Sequence, residues 1–271
     1  MPITLTTHPA ADNTRTRVPP LVIAHRGASA EWPENTIPAF VAGIDQGADM
    51  IEIDVHMSAD GELIVIHDGT VERTTDARAV YPDRADFRVA GMTSAEISAL
   101  DAGSWKADRF AGIGVPHLGE VLDLVHANRT GLLLEVKHPA HYPGIAEALV
   151  QSLTQRRDYL DRALAAGLLV VQSGDWGFIR KFHELVPEIP VGLLGRPCPD
   201  ELLEFADWVD QINPEYRAAD PDFLGRVHAL GMSSLVWTVD GTSNMEAVID
   251  LGVDGIITNT PGVLVQVVED L

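Results

Sequence analysis

Short apolar runs alternate with longer segments along most of this chain, and the two have different periods. The runs at 21–24, 50–55, 63–66, 131–136, 168–171, 190–194, 208–212, 234–239 and 255–258 are brief and rich in Val, Ile and Leu. Several are apolar on both faces, as the strands of a buried parallel sheet must be. Between them, segments 36–46, 118–128, 144–156, 176–185, 200–205, 221–230, 243–251 and 261–269 carry apolar residues at helical spacing. Strand–helix alternation repeated over this length predicts an α/β protein built as a closed parallel barrel. Nine strand candidates for eight places make one of them an extension or an extra piece. The competing architecture is an open doubly wound sheet. No G-x-G-x-x-G follows an early strand, so the usual dinucleotide signal of that fold is missing.

One stretch breaks the rhythm. Residues from about 68 to 116 show weak periodicity, many turn residues and many charges, and a loop this long is usually functional. It reads as an insertion after an early strand, with one or two short helices such as 94–100, and on a barrel it would lie over the mouth. Residues 1–20 read as a flexible, polar, Pro/Thr-rich tail, leaving 21–271 as the barrel domain. The tail lacks the apolar stretch of a secretory signal, and no window approaches 18 apolar residues. The expectation is a cytoplasmic protein without stable membrane association. Its single cysteine, Cys198, excludes an intramolecular disulfide and a thiolate zinc cluster.

The formal net charge of -21 changes the picture of partners. So acidic a surface repels nucleic acid and anionic membranes. It also repels an anionic small molecule, which would need a local positive site made by Arg, Lys or a metal ion.

Such a site is present at the strand ends. The first strand ends in His25-Arg26-Gly27, the next contains Glu52-Ile53-Asp54, and the third ends in His67-Asp68. Residues two apart on a strand share a face, so Glu52 and Asp54 converge within an apolar context. Buried carboxylates are costly unless paired or bound to metal. Oxygen donors of this kind suit a hard cation such as Mg²⁺ or Ca²⁺. Glu135-Val136-Lys137 supplies a third acid and a cation on one face of the fourth strand. Glu135 would complete a three-carboxylate metal site, and Lys137 would balance its charge or hold a phosphate oxygen. Trp237 would wall the pocket. Asn259, in the last loop, is expected to serve structure rather than catalysis.

Taken in order, these residues resemble the glycerophosphodiester phosphodiesterase family over roughly residues 22–265. The resemblance rests on His25-Arg26-Gly27-Ala28-Ser29, Pro33-Glu34-Asn35-Thr36, Gly47-Ala48-Asp49, Ile51-Glu52-Ile53-Asp54-Val55, His67-Asp68, Arg73-Thr74-Thr75, Glu135-Val136-Lys137 and Trp237-Thr238-Val239. It implies a TIM (β/α)8 barrel with a small insertion after an early strand. It also implies a divalent metal on Glu52, Asp54 and Glu135, acid–base roles for His25 and His67, and phosphate contacts from Arg26 and Lys137. The implied reaction is hydrolysis of a small-molecule glycerophosphodiester to sn-glycerol 3-phosphate and an alcohol. The alternatives are a lysophospholipase D-type activity and a non-catalytic barrel that binds a phosphate ligand. The chain departs from the family's habit at Pro116-His117-Leu118-Gly119-Glu120, at Gln172-Ser173-Gly174 and at Asp240 after Trp237-Thr238-Val239. These departures bear on substrate preference.

Overall fold

Nine strands and the helices between them are laid out in a computed structural model that describes residues 19–271. The tail expected over residues 1–20 lies, up to residue 18, outside the described residues. The strands are β1 (Leu21–His25), β2 (Met50–Met57), β3 (Leu63–Val65), β4 (Gly131–Val136), β5 (Leu169–Ser173), β6 (Val191–Leu194), β7 (Gln211–Asn213), β8 (Leu235–Val236) and β9 (Gly255–Thr258). Eight of them run side by side in the order β7-β6-β5-β4-β2-β1-β9-β8, every ladder between them parallel. The β7–β8 seam is bridged rather than laddered: Ile212 N–H donates to Ser233 O at 2.9 Å and Tyr216 N–H to Trp237 O at 2.9 Å. The result is a nearly closed TIM-type barrel.

The supernumerary strand is β3, the extra piece among nine candidates for eight places. It pairs antiparallel with the outer half of β2, Val55 opposite Val65 and Met57 opposite Leu63. β2 is eight residues long and overshoots the barrel rim. A chain that turns at Asp60-Gly61 folds straight back along it, because the exposed edge of the overshoot offers free backbone groups.

Other boundaries move for identifiable reasons. The strand expected over 208–212 is shifted to β7, with Trp208 following the helix Pro199–Phe205. The strand expected over 234–239 shrinks to two residues. The helix expected over 144–156 ends at Thr154, and a second helix, Arg157–Ala166, follows it. That second helix is polar over most of its circumference; only Tyr159, Leu160 and Ala163 are buried.

Alternation along the strands sorts the barrel interior into two levels. Ile51, Ile53 and Val55 face outward into the core shared with the helices. Met50 faces inward, joining Ile23, Leu133, Val170, Leu235 and Ile257 in an apolar plug. Two residues further along each strand, on the same face, stand His25, Glu52, Glu135 and Gln172. The floor of the barrel is thus packed, and its upper level is polar. Gly255 makes the plug possible: a Cβ there would stand 2.5 Å from Leu235 Cδ2 and 2.9 Å from Ile23 Cδ1.

The irregular stretch after β3 builds a small core of its own against the barrel, including Ile66, Val71, Phe87, Val89, Met92 and Ile97. Its short α-helices are Ala77–Val80 and Ser94–Ser98, the latter started by a Thr93–Glu96 capping box.

Candidate active site

β1 delivers His25 to the rim and then turns sharply. Gly27 has φ +85°, and a Cβ on it would lie 2.5 Å from the Ala39 carbonyl, so only glycine fits this turn. Arg26 beside it takes the left-handed conformation with φ 57°. Its backbone N–H donates to Glu52 Oε2 at 3.0 Å, and its Nη1 donates to Glu34 Oε1 at 3.0 Å. Nε lies 3.1 Å from Asp54 Oδ2, an ion pair without the alignment of a hydrogen bond.

His25 Nδ1 lies 2.7 Å from Asn259 Oδ1. The orientation of that amide follows from its other partners. Asn259 Nδ2 donates to Asp240 Oδ2 at 2.6 Å, and its backbone N–H to Asp240 Oδ1 at 3.0 Å. A carboxylate only accepts, so the amide oxygen must face His25, and the proton must sit on Nδ1. Nε2 is left with its lone pair. Burial, and then Arg26 alongside, lower the His25 pKa to about 4, so the ring is neutral at neutral pH.

β2 and β4 bring the acids together. One oxygen each of Glu52, Asp54 and Glu135 lies within 4.8 Å of the others. Asp54 is additionally gripped by Asn35, whose Nδ2 donates to Asp54 Oδ2 at 2.8 Å. Lys137 Nζ is 2.7 Å from Glu135 Oε1 and 3.5 Å from Asp54 Oδ1.

His67 reaches the same level by a route the strand pattern did not anticipate, down the antiparallel return of β3. Its Nδ1 is 2.6 Å from Asp68 Oδ1. His25, Arg26, Glu52, His67, Glu135, Lys137 and Trp237 all line one cavity of about 130 Å³ at the barrel mouth. Every sequence-predicted site residue except Asp54 is on that wall, and Asp54 lies directly beneath it within ion-pair reach of Arg26 and Lys137.

The sequence matches the Glycerophosphoryl diester phosphodiesterase family over residues 25–263. The chain belongs to that family. A glycerophosphodiester phosphodiesterase of Caldanaerobacter subterraneus subsp. tengcongensis is 35% identical over 251 residues, which span 92% of this chain and 97% of that one. Another, from Bacillus subtilis (strain 168), is 35% identical over 257 residues, 89% of this chain and 84% of the relative. Among solved structures, a phosphodiesterase from Oleispira antarctica in complex with the product sn-glycerol-3-phosphate matches with a TM-score of 0.81 at 28% identity. That match covers 93% of this chain and 97% of the other.

As a glycerophosphodiester phosphodiesterase, the protein carries a site with more clustered carboxylates than side-chain cations. Three carboxylates face two side-chain cations, Arg26 and Lys137. Burial, then Asp54 and Glu135, push the Glu52 carboxyl well above its usual range. Burial and Asp54 push Glu135 up to about 7. Burial acts on Asp54 in the same direction, but Arg26 and Lys137 overcome it and hold that group low. Asp54 Oδ1 is buried and accepts no hydrogen bond, with Lys137 Nζ 3.5 Å away as its ion-pair partner. All-oxygen donors, a buried carboxylate oxygen that accepts no hydrogen bond and excess negative charge fit a hard divalent ion.

Residues outside the predicted set also reach the site. Asn259 and Asp240 fix the His25 tautomer, Asn35 holds Asp54, and Gln172 lines the cavity with its Oε1 accepting from Asn213 Nδ2 at 2.9 Å. Asn35 carries the strongest signal in the sequence, since it stands in the Pro33-Glu34-Asn35-Thr36 run on which the family resemblance rests. Ser173, beside Gln172, does not serve the cavity: its Oγ donates to Val136 O at 2.7 Å. Of the aromatic residues of the insertion, Phe110 packs inward whereas Trp105 is exposed. Phe110 is buried with its ring 5.2 Å from that of Trp32, and Trp105 Nε1 donates to Ala102 O. Among the described residues no helix is long and apolar enough to cross a membrane.

Proposed function

We propose that the protein hydrolyses water-soluble glycerophosphodiesters to sn-glycerol 3-phosphate and an alcohol, with His25 as the base and His67 as the acid. The observation that carries this reading is the pair of imidazoles lining one cavity with unlike partners. His25 is backed by a neutral amide and offers a bare Nε2, which takes a proton from the attacking hydroxyl. His67 is backed by the Asp68 carboxylate, which holds Nδ1 and orients the ring to donate a proton from Nε2 to the leaving alkoxide. The attacking hydroxyl is water or the neighbouring hydroxyl of the substrate's own glycerol.

Glu52, Asp54 and Glu135 are the residues that would hold a divalent cation, Mg²⁺ or Ca²⁺. When bound, it supplies positive charge against the phosphate oxygens. Lys137 and Arg26 present their cationic ends to the same cavity and orient the phosphodiester. Trp237, fixed by its Nε1–H to Asn213 O at 2.9 Å, forms part of the cavity wall.

The test is a panel of glycerophosphodiesters and lysophospholipids assayed for released alcohol under Mg²⁺ and Ca²⁺. Each histidine contributes about 10²–10⁴-fold if it transfers a proton in the transition state. His25→Ala and His67→Ala should each lose activity on that scale while keeping the wild-type melting temperature. EDTA should remove activity, and added cation should restore it. Near wild-type turnover in both variants refutes the acid–base assignment. Full activity in chelated protein refutes the metal, and preference for lysolipids moves the protein to the lysophospholipase D reading.

A further inference from the structure

We propose that Arg73, a residue of the insertion that touches no reacting atom, is a positioning residue for the reaction. Its single guanidinium fixes Asp68 behind His67 and Glu34 behind Arg26. The inference rests on the reading of His67 as proton donor and Arg26 as phosphate ligand.

Four of the five N–H donors of Arg73 are used, two on each carboxylate. Nε donates to Asp68 Oδ2 at 2.7 Å and Nη2 to Asp68 Oδ1 at 3.0 Å. Nη1 donates to Glu34 Oε2 at 3.0 Å, and Nη2 also donates to Glu34 Oε1 at 2.7 Å. The oxygens held in this way are those that face the site. Asp68 Oδ1 is the atom bonded to His67 Nδ1, and Glu34 Oε1 is the atom bonded to Arg26 Nη1. Hydrogen bonding to Arg73 is the first reason Asp68 titrates as low as about 2. Glu34 is pushed up by its burial, but Arg73 and Arg26 together hold it below its usual value.

The Arg73 side chain is 44% exposed, where a lone ion pair contributes little to folding, and the melting temperature measures what this bidentate network adds. What two bidentate contacts do supply is geometry. Without them, Asp68 and Glu34 are each free to swing away from the groups they orient. The clamp also spans two parts of the fold 39 residues apart in sequence, the loop after β1 and the start of the insertion.

The experiment uses the full chain with Mg²⁺ and glycerophosphocholine, with melting temperatures taken alongside. Arg73→Ala should lower kcat by about tenfold or more, a part of the 10²–10⁴ that an acid–base residue contributes, and should raise KM. The two arms should separate: Asp68→Asn reproduces the kcat loss and Glu34→Gln the KM rise. Arg73→Ala combined with Asp68→Asn should lose no more kcat than the larger single loss. Arg73→Lys keeps the charge but not the planar fork, and should stay close to Arg73→Ala. A second readout is independent of turnover: the His67 Nδ1–H proton, held by Asp68, should exchange with water faster in Arg73→Ala. The clamp is overturned by kinetics within about twofold of wild type in Arg73→Ala, by losses that multiply in the double variant, or by full activity in Arg73→Lys. An unchanged His67 exchange rate overturns it whether or not the enzyme turns over. Absence of any diester cleavage by the wild type counts instead against the functional reading, and the exchange rate then decides the clamp alone.

Discussion

Glu135 is the residue whose chemistry is easiest to test by titration. Burial and the neighbouring Asp54 raise its pKa to about 7 when no cation is bound. A divalent ion must displace that proton, so metal affinity is linked to pH. Apparent affinity should tighten as pH rises from about 5.5 to 8, with protons released on binding, which calorimetry in two buffers of different ionisation enthalpy measures directly. An affinity flat across that range removes Glu135 from the ligand set. The same group acts in the opposite sense on the metal-free fold. Its pKa is raised above the unfolded value, so its stabilising contribution is full below about 4.5 and is lost as pH rises through about 7. At this scale much of the site is legible in sequence. His25, Glu52, Asp54, Glu135 and Lys137 announce themselves because polar residues at the ends of apolar strands demand a reason. Asp240 and Asn259 do not. They lie in loops where Asp and Asn are ordinary, and only their meeting across 19 positions gives them a role.

At the level of elements, the long β2 and the short β3 decide where His67 stands. The pattern of apolar runs reveals both segments but not their direction, since a three-residue strand carries no mark of being parallel or antiparallel. Partners settle it, and His56 is the partner that holds the return in place. This ring is fully buried, and burial lowers its pKa to about 4, so it is neutral. Its Nε2 faces the His67 carbonyl at 3.0 Å and must therefore donate. Its Nδ1, 2.7 Å from Tyr142 Oη, must accept. His56 thus ties the tip of β2 to the backbone of His67 and to the 3-10 turn after β4. Replacing it with Leu leaves the buried Tyr142 hydroxyl and the part-buried His67 carbonyl without this partner, at a cost of about 1–3 kcal/mol for the buried group. His56→Leu should melt at lower temperature and lose kcat as well, because the ring of His67 is carried on the loosened backbone. A variant that is destabilised yet fully active would show that β3 alone places His67. The helix that follows the expected 144–156 segment shows the opposite limit of pattern reading: Arg157–Ala166 buries too narrow a stripe to be seen.

Across the whole molecule, a net charge of -21 surrounds a cavity built to receive a phosphate. The two scales of electrostatics oppose each other. Arg26, Lys137 and a bound cation attract an anion at short range, whereas the acidic surface repels it during approach. Salt distinguishes them, because screening acts on the long-range term first. The Debye length shrinks from about 30 Å at 0.01 M to about 8 Å at 0.15 M. Most surface charges are then hidden from an approaching substrate, while groups within the cavity remain in contact with it. Substrate charge provides the internal control: glycerophosphocholine is a zwitterion with no net charge, and glycerophosphoglycerol is an anion. Raising ionic strength over that range should increase kcat/KM for the anion and leave the zwitterion nearly unchanged. The gain should appear in KM, since the chemistry takes place inside the cavity. If kcat/KM for the anion instead falls with salt, the positive groups at the mouth govern approach, and the acidic surface has no part in selecting the substrate.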